Sequence, residues 1–197
     1  MTDRARKSVV IVSGLPRSGT SLMMNMLQSG GVPVVTDQIR TADEDNPKGY
    51  YEFERSKALK EGDFTWVEEA GGKAVKVISA LLRYLPPEYD YKVIFMLRDL
   101  QEVLDSQRQM LIRRGQNPES VPDAEMKLIY QKHLAGVKSW LANQTNFQVL
   151  EVTYNQLFLT PQENVAQICS FLERDLDAGA MQAVIDVNLY RQRKGRP

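Results

Sequence analysis

Apolar residues follow two patterns along this chain. Short runs such as residues 9–12 and 93–97 are almost unbroken in apolar character, which is typical of parallel strands buried on both faces. Elsewhere apolar residues recur every three or four positions, which indicates amphipathic helices. The runs predict strands at residues 8–13, 32–35, 74–78, 92–97 and 147–152. Strands that alternate with helices predict an α/β fold of three layers, with a central parallel sheet flanked by helices.

The helical pattern defines four segments. Asp99 is a good N-cap residue and Glu102 stands three positions later, so the sequence predicts that a helix begins just after Asp99. Another helix is predicted over residues 123–143. We interpret Cys169 as a small core residue rather than a nucleophile, because it lies within an apolar stripe. The stripes comprise Leu22, Met23, Met26 and Leu27; Leu100, Val103, Leu104 and Leu111; Leu134, Val137 and Leu141; and Val165, Ile168, Cys169 and Leu172.

Composition is ordinary for a globular protein. The 197 residues suit one domain with a substantial core, and we predict a single domain over residues 1–197. The 25 Lys and Arg residues balance 25 Asp and Glu residues, which does not favour a nucleic-acid partner. One cysteine excludes an internal disulfide, and no apolar stretch approaches the roughly 20 residues of a membrane span. We therefore predict a cytoplasmic protein, whose oligomeric state the sequence does not indicate.

Two polar stretches are predicted to be irregular, and a basic tail follows them. Residues 36–49 are acidic and end at residues 46–49 in Asn-Pro-Lys-Gly, a strong turn signal. Residues 113–122 are polar and contain glycine and proline. Both stretches are typical of mobile loops over a site. The basic residues 191–197 are typical of a solvated tail.

The segment after the first predicted strand has the composition of a phosphate-binding loop. The backbone N–H groups of residues 18–21 can converge on one anion, and the hydroxyls of Ser18, Thr20 and Ser21 add further donors. A helix that begins at Gly19 adds partial positive charge. The spacing is that of the P-loop nucleotide motif, so we predict a P-loop-like fold. However, Thr20 stands where that motif has lysine, and Arg17 supplies a cation inside the loop instead. The segment reads Gly14-Leu15-Pro16-Arg17-Ser18-Gly19-Thr20-Ser21.

A second candidate anion site follows the fourth predicted strand. Arg98 ends that strand, and Ser106 lies eight residues later, about two helical turns along the next helix. Ligands of open α/β sheets bind at the carboxyl ends of the strands, so Arg98 shares an edge of the sheet with the first loop. Arg98 and Ser106 can hold a second phosphate well away from the first. An ion pair of Arg98 with Asp99 or Glu102 is the structural alternative.

These motifs, in this order, resemble those of the sulfotransferases that use 3′-phosphoadenosine 5′-phosphosulfate (PAPS), in particular small bacterial members. Residues 16–21 are similar to the family's 5′-phosphosulfate loop, and Arg98 with Ser106 is similar to its 3′-phosphate motif. Further similar segments are Tyr154-Asn155-Gln156-Leu157 with Pro161, Phe171 and Leu172; Asp45-Asn46-Pro47-Lys48-Gly49-Tyr50-Tyr51-Glu52; and Arg193-Lys194-Gly195. The resemblance implies that PAPS is bound by Pro16, Arg17, Ser18, Gly19, Thr20, Ser21, Arg98, Ser106, Tyr154, Arg193, Lys194 and Gly195.

The resemblance also implies a reaction, the transfer of the sulfuryl group of PAPS to a hydroxyl or amine of an acceptor. The acceptor, a small molecule or a larger one, cannot be identified from the sequence. In this reaction Arg17 would offset charge that develops on the leaving oxygen, while the loop amides hold the 5′-phosphate. No metal is expected, because arginine can supply the charge that Mg²⁺ supplies in kinases.

The proton acceptor is the least defined part of this hypothesis. Cytosolic family members use a histidine, but we interpret the single histidine, His133, as a solvated residue of a helix far in sequence from the motifs. A carboxylate is therefore expected. Asp37 follows the second predicted strand, where carboxylate-using members carry theirs, and Glu52 follows the acidic stretch that contains Glu44 and Asp45.

Three further features bear on the resemblance. Lys76, on the third predicted strand, is a candidate contact of the sulfuryl group, with a structural role as the alternative. Arg17 stands where cytosolic members have lysine. Tyrosylprotein-type members have arginine at this position, as this chain does. The family's adenine-stacking tryptophan has no counterpart, because Leu22 and Met23 occupy that region.

Two other functions stay open on the sequence. A P-loop kinase-like phosphotransferase explains the first loop but not Thr20 in place of lysine, and it would need an acidic Mg²⁺ ligand at the end of another strand. A non-catalytic nucleotide-binding protein explains both phosphate motifs and would need no proton acceptor.

Overall fold

The computed structural model describes residues 8–37, 39, 49, 51–118 and 121–186. The strands are β1 (Val9–Gly14), β2 (Val34–Val35), β3 (Ala74–Lys76), β4 (Tyr91–Leu97) and β5 (Phe147–Thr153). They form one sheet in the order β2-β3-β1-β4-β5, and every pair of neighbours is parallel. The predicted central parallel sheet is therefore confirmed.

Helices cover both faces of this sheet, which completes the predicted three layers. They are α1 (Thr20–Ser29), α2 (Trp66–Glu69), α3 (Leu100–Arg113), α4 (Asp123–Leu141), α5 (Gln156–Leu159), α6 (Pro161–Leu172) and α7 (Ala178–Ala183), with 3-10 helices at Glu54–Glu61 and Ser79–Tyr84. The four longest α-helices, α1, α3, α4 and α6, are those that the apolar stripes predict. The short helices were not predicted, because segments of one or two turns are too short for a periodic stripe.

The sheet is buried on both faces because side chains of its inner strands alternate between two apolar layers. In β1, Val9 and Ile11 pack with residues of α4 and of the 3-10 helices, whereas Val10 and Val12 pack with α1 and α6. All of these β1 side chains are fully buried. Burial of one such side chain contributes about 1.5–3 kcal/mol. The unbroken apolar runs of the sequence thus reflect a strand that has no solvent-facing side.

Strand register places three positions around the loop that follows β1. Gly14 pairs with Met96 of β4, so Arg98 emerges beside the loop on one side. Val12 pairs with Lys76 of β3, so Lys76 lies on the other side. Because β1 lies between β3 and β4, the loop that follows it is flanked by Lys76 on one side and Arg98 on the other.

Strand β3 is shorter than predicted. The N–H of Val77 still donates to the carbonyl of Val12 at 3.0 Å, but Ile78 is already the residue that precedes the 3-10 helix at Ser79–Tyr84. In the part of the chain that the structure describes, no helix is long and apolar enough to cross a membrane.

Candidate functional site: the loop between β1 and α1

The β1–α1 loop is closed by close contacts. Gly14 has φ +147°, and a Cβ atom there would lie 2.5 Å from Ser18 Oγ and 2.6 Å from the Met96 carbonyl oxygen. Only glycine fits such an approach. Ser18 is buried, and both its N–H (3.2 Å) and its hydroxyl (2.7 Å) donate to the carbonyl of Leu15. Ser18 therefore braces the loop, and its amide and hydroxyl contribute to the loop's shape.

The backbone of this loop has the conformation of an anion cradle. Arg17 (φ +70°) and Gly19 (φ +99°) are left-handed, and Gly19 is the N-cap of α1. Left-handed residues set among right-handed ones turn successive N–H groups toward one point. The amides of the first helical turn, including those of Thr20 and Ser21, lack intrahelical acceptors and carry the positive end of the helix dipole. Since Gly19 has no side chain, nothing of its own fills the space before them.

Arg17 connects the loop with α3. Its Nε donates to Ser106 Oγ at 2.9 Å, and Ser106 is a buried residue of α3. The two motifs that the sequence identified separately are therefore adjacent in the fold. One guanidinium group spans the space between them.

Arg98 lies in the middle of a buried network. Its Nε donates to Glu102 Oε2 at 3.0 Å, and the two side chains are 7% and 3% exposed. Its Nη1 donates to the carbonyl of Arg17 at 3.1 Å, and its guanidinium lies over the ring of Tyr154 at 4.4 Å. The ion pair with Glu102, which was the structural alternative for Arg98, is therefore present. Arg98 therefore also contacts the β1–α1 loop directly.

Glu102 was predicted as a residue of the helix start and as a candidate ion-pair partner of Arg98, but not as part of a candidate site. Asn155 Nδ2 donates to Glu102 Oε1 at 3.1 Å, so both carboxylate oxygens are engaged. Asp99 does cap α3, with Oδ1 accepting from the amides of Gln101 (2.8 Å) and Glu102 (3.4 Å). Arg98 directly precedes Asp99, the N-cap of α3, and stands four residues before Glu102, so the sequence spacing is the signal that identifies the pair.

Tyr154 supports the start of α1. A Cβ atom at Gly19 would lie 2.3 Å from Tyr154 Cδ2, so the aromatic ring lies directly against the Gly19 backbone. Tyr154 is 7% exposed, and its amide donates to the carbonyl of Leu97 at 2.7 Å. Its ring therefore contacts both the loop and Arg98.

Lys76 reaches the same loop from β3. Its Nζ donates to Ser21 Oγ at 3.2 Å. Arg17, Lys76 and Arg98 thus lie around the start of α1, and Glu102 is paired with one of them. The arrangement provides a positively charged site at the carboxyl ends of β1, β3 and β4, where ligands of such sheets bind.

The two described candidate carboxylates lie together beyond the end of β2. Asp37 accepts from the amide of Ile39 through Oδ1 (3.2 Å) and from the amide of Glu54 through Oδ2 (2.6 Å). The carbonyl of Glu52 accepts from the Thr36 hydroxyl (3.0 Å) and from the Asp37 amide (3.4 Å). Asp37 and Glu52 are thus on adjoining, mutually bonded segments.

The Glu52 side chain pairs with a lysine. Lys57 Nζ lies 3.3 Å from Glu52 Oε2 and 2.5 Å from Glu54 Oε1. The hydrogen bond to Glu54, with a smaller contribution from Glu52, raises the pKa of Lys57 above its usual value. Tyr51, in the segment before Glu52, donates its hydroxyl to Gln28 Oε1 of α1 at 2.7 Å. These contacts attach the segment to α1 and to the end of β2.

Several predicted positions lie outside the described residues. They are Glu44, Asp45 and most of residues 45–50, together with Arg193, Lys194 and Gly195. The roles that the resemblance implies for Arg193, Lys194 and Gly195 stay predictions. Pro16 is described and lies exposed on the loop before Arg17.

The interpretation of His133 as a solvated helix residue was wrong. His133 is half-buried on α4, and its Nε2 lies 2.8 Å from Oγ of the buried Ser79. Burial, with a smaller contribution from the positive charge of Arg83, lowers the pKa of His133. Cys169 packs against the core on the α1 face as expected, and burial raises the pKa of its thiol.

Comparison with known proteins identifies the family. The family model described as "Sulfotransferase domain" matches residues 7–197, and the chain therefore belongs to the sulfotransferase family. The chain is a sulfotransferase, as the sequence motifs predicted. Among curated protein sequences, none matches this chain significantly.

Solved structures show the same fold. The sulfotransferase domain from the curacin biosynthetic pathway is 12% identical, with a TM-score of 0.55, over 97% of this chain and 93% of that one. Sulfotransferase STF1 from Mycobacterium tuberculosis is 14% identical, with a TM-score of 0.56, over 92% and 72%. Mouse sulfotransferase SULT7A1, solved in complex with PAP, is 17% identical, with a TM-score of 0.54, over 91% and 63%.

Proposed function

We propose that this sulfotransferase moves the sulfuryl group of PAPS to a hydroxyl or amine of an acceptor and releases PAP, the desulfated product. The observation that carries the proposal is one bonded network, in which Arg17 bonds Ser106 and Arg98 bonds the Arg17 carbonyl. PAPS carries anions at its 5′ and 3′ positions, and this network has a cation in each motif. The PAP complex of the mouse neighbour is consistent with the same donor.

Each part of the network has a proposed role. The amides of Gly19, Thr20 and Ser21 hold the 5′-phosphate, within a loop whose shape depends on Pro16 and on the Ser18 bonds to Leu15. Arg98, Ser106 and Tyr154 form the side of the site that receives the 3′-phosphate. Arg17 and Lys76, which flank the start of α1, contact the sulfuryl group and the bridging oxygen.

The reaction is an in-line displacement at sulfur. The acceptor oxygen or nitrogen forms a bond to sulfur while the bond between sulfur and the 5′-phosphate oxygen breaks. Negative charge that develops on the leaving phosphate is offset by Arg17 and the loop amides. The acceptor proton moves to a carboxylate as the bond to sulfur forms, so the acceptor oxygen or nitrogen does not keep a positive charge. Positioning and electrostatics supply most of the acceleration, as in phosphoryl transfer.

Glu52 is the carboxylate that we assign as proton acceptor. Both oxygens of Asp37 accept from backbone amides, so its carboxylate holds the turn between Ile39 and Glu54. Glu52 instead pairs with the half-exposed Lys57 at 3.3 Å, and the Glu52 side chain is itself 21% exposed. A pair that is open to solvent on the lysine side contributes about 1 kcal/mol, so an incoming acceptor can displace Lys57. Asp37 then acts by keeping the Glu52 segment against the end of β2.

The kinase-like alternative has less support. Asp99, the acid that follows β4, accepts from the amides of Gln101 and Glu102 and so caps α3. A carboxylate used in this way is a poor candidate for the Mg²⁺ ligand that nucleoside-triphosphate chemistry requires. We accordingly expect sulfuryl transfer without added metal. The single-domain organisation and the cytoplasmic location stay predictions.

A PAPS-consumption screen in EDTA tests the proposed function. PAP formation is followed with small alcohols, phenols, amines and sugars as acceptors, and Arg17→Ala serves as the matched control. We expect acceptor-dependent PAP formation with the wild-type protein and almost none with the variant. PAP binding without transfer to any acceptor class would instead support the non-catalytic alternative, and transfer that requires Mg²⁺ and ATP would support the kinase.

A further inference from the structure

Arg98 has contacts that phosphate binding alone does not require. A guanidinium group has five N–H donors in a fixed plane. One of them reaches the carbonyl of Arg17, and another reaches Glu102, which lies on the helix beyond. The carbonyl that Arg98 holds belongs to a residue with φ +70°, a conformation that residues other than glycine adopt only when neighbouring contacts maintain it.

The residues around Arg98 fix its guanidinium group against the Arg17 carbonyl. Its guanidinium lies over the ring of Tyr154 at 4.4 Å, and the same ring lies against the Gly19 backbone. Asn155, next to Tyr154 in the chain, donates to the second oxygen of Glu102 at 3.1 Å. Arg98 and Glu102 are almost fully buried, so their bond is little weakened by solvent.

We propose that Arg98 is a positioning residue for the phosphate loop, in addition to its role toward the 3′-phosphate, and that Glu102 and Asn155 hold it in place. Arg98 fixes the peptide between Arg17 and Ser18, and so sets the path of the loop that leads to the phosphate-binding N–H groups of the next three residues. This inference rests on the proposed function. It predicts that loss of Arg98 weakens the binding of nucleotides that have no 3′-phosphate at all.

The test compares two ligands that differ only in the 3′-phosphate, PAP and adenosine 5′-monophosphate (AMP), by calorimetry on the full chain. Removal of Arg98 alone would leave Glu102 buried without its cation, so the main variant is the double substitution Arg98→Met with Glu102→Gln. Glu102→Gln alone weakens the hold on Arg98 without changing any proposed ligand contact. Arg108→Ala is the matched control, because Arg108 lies on the same helix but pairs with Asp123, away from the loop. Melting curves confirm that each variant folds.

We expect the double variant to bind AMP about tenfold more weakly and PAP at least fiftyfold more weakly than the wild type. Glu102→Gln should weaken both ligands by the same factor, about twofold to fivefold, and Arg108→Ala should change neither. Unchanged AMP affinity in the double variant, with PAP reduced to the level of AMP, would show that Arg98 is only a 3′-phosphate ligand. An equal loss in Arg108→Ala would also overturn the proposal. Failure of the wild type to bind either ligand would overturn the proposed function itself, and this inference with it.

Discussion

The donor region and the β2 region of this sulfotransferase are built in opposite ways. The donor region is the β1–α1 loop with Arg98, Glu102, Ser106 and Tyr154, and its central ion pair is 7% and 3% exposed. The β2 region is Asp37 with the segment from Glu52 to Lys57, in which the side chains of Lys57 and Glu52 are 54% and 21% exposed. A buried pair leaves an uncompensated charge when one partner is removed, whereas an exposed pair is weak and easily rearranged. On the proposed assignment, a fixed site for the donor beside an adaptable site for the acceptor suits an enzyme with a constant donor.

The largest effect is expected at Arg17. Arg17→Ala removes the cation that faces the developing charge, and loss of one such contact lowers the transfer rate by about 10²–10³-fold. The melting temperature should hardly change, because the side chain is only half-buried. Rates are measured with the first acceptor that the screen identifies. Arg17→Lys is the control, since it keeps the charge, and it should retain more activity than the alanine variant. Wild-type rates in Arg17→Ala would contradict the assigned role.

The next effect compares the two carboxylates of the β2 region. Glu52→Gln should lower kcat by about 10²-fold, as expected for loss of a general base, and leave the melting temperature nearly unchanged. Asp37→Asn weakens the bonds to the amides of Ile39 and Glu54, so it should lower the unfolding free energy by about 1 kcal/mol with a smaller loss of kcat. The reverse order of the two kcat losses would assign the proton acceptor to Asp37.

A smaller effect tests how rigid the donor region is. Gly19→Ala would bring a Cβ atom within 2.3 Å of Tyr154, so PAP affinity should fall about tenfold and the unfolding free energy by about 1–3 kcal/mol. Gly31→Ala is the matched control, because Gly31 also has positive φ (+96°) but nothing lies within 4 Å of its Cβ position. Gly31→Ala should destabilise the fold without weakening PAP binding. An equal loss of PAP affinity in both variants would show that Tyr154 does not define the loop.

The smallest effect concerns His133, which lies in neither region. Burial lowers its pKa in the folded state below the unfolded value near 6.5, so the unfolded chain binds more protons in weak acid. The neutral imidazole therefore contributes stability that is fully present above about pH 6.5 and is lost progressively as the pH falls from there through the lower pKa of the folded state. Between pH 8 and pH 5, the melting temperature of His133→Gln should fall by less than that of the wild-type protein. The acid limb of the transfer rate should be the same in both, and its disappearance in the variant would implicate His133 in the chemistry.

Much of the donor region could be predicted from the sequence, because its signals are local. The β1–α1 loop is one continuous segment, and β1 and β4 are apolar runs whose parallel pairing brings Arg98 beside it. Two of its contacts could not be foreseen. The bonds from Arg17 to Ser106 and from Arg98 to the Arg17 carbonyl join residues that are 89 and 81 positions apart. Their pairing depends on how α3 and the loop pack, which no periodic pattern reports.

The β2 region and His133 were less predictable. The strand β2 has two residues, and the segment after Glu52 forms a 3-10 helix, so neither gives a long periodic signal. The bond between His133 and Ser79 depends on the packing of α4 against a short 3-10 helix. A histidine among the polar residues of α4 therefore looked solvated although the fold half-buries it.

The most direct test of the proposed donor is calorimetric binding of PAP, AMP and ATP with Mg²⁺ to the wild-type protein. A site that holds two separate phosphates should bind PAP at least tenfold more tightly than AMP, because only PAP offers a 3′-phosphate to Arg98 and Ser106. It should also bind PAP more tightly than ATP with Mg²⁺, whose phosphates form one chain. Equal affinities for PAP and AMP, or a preference for ATP with Mg²⁺, would contradict the assignment of this site to PAPS.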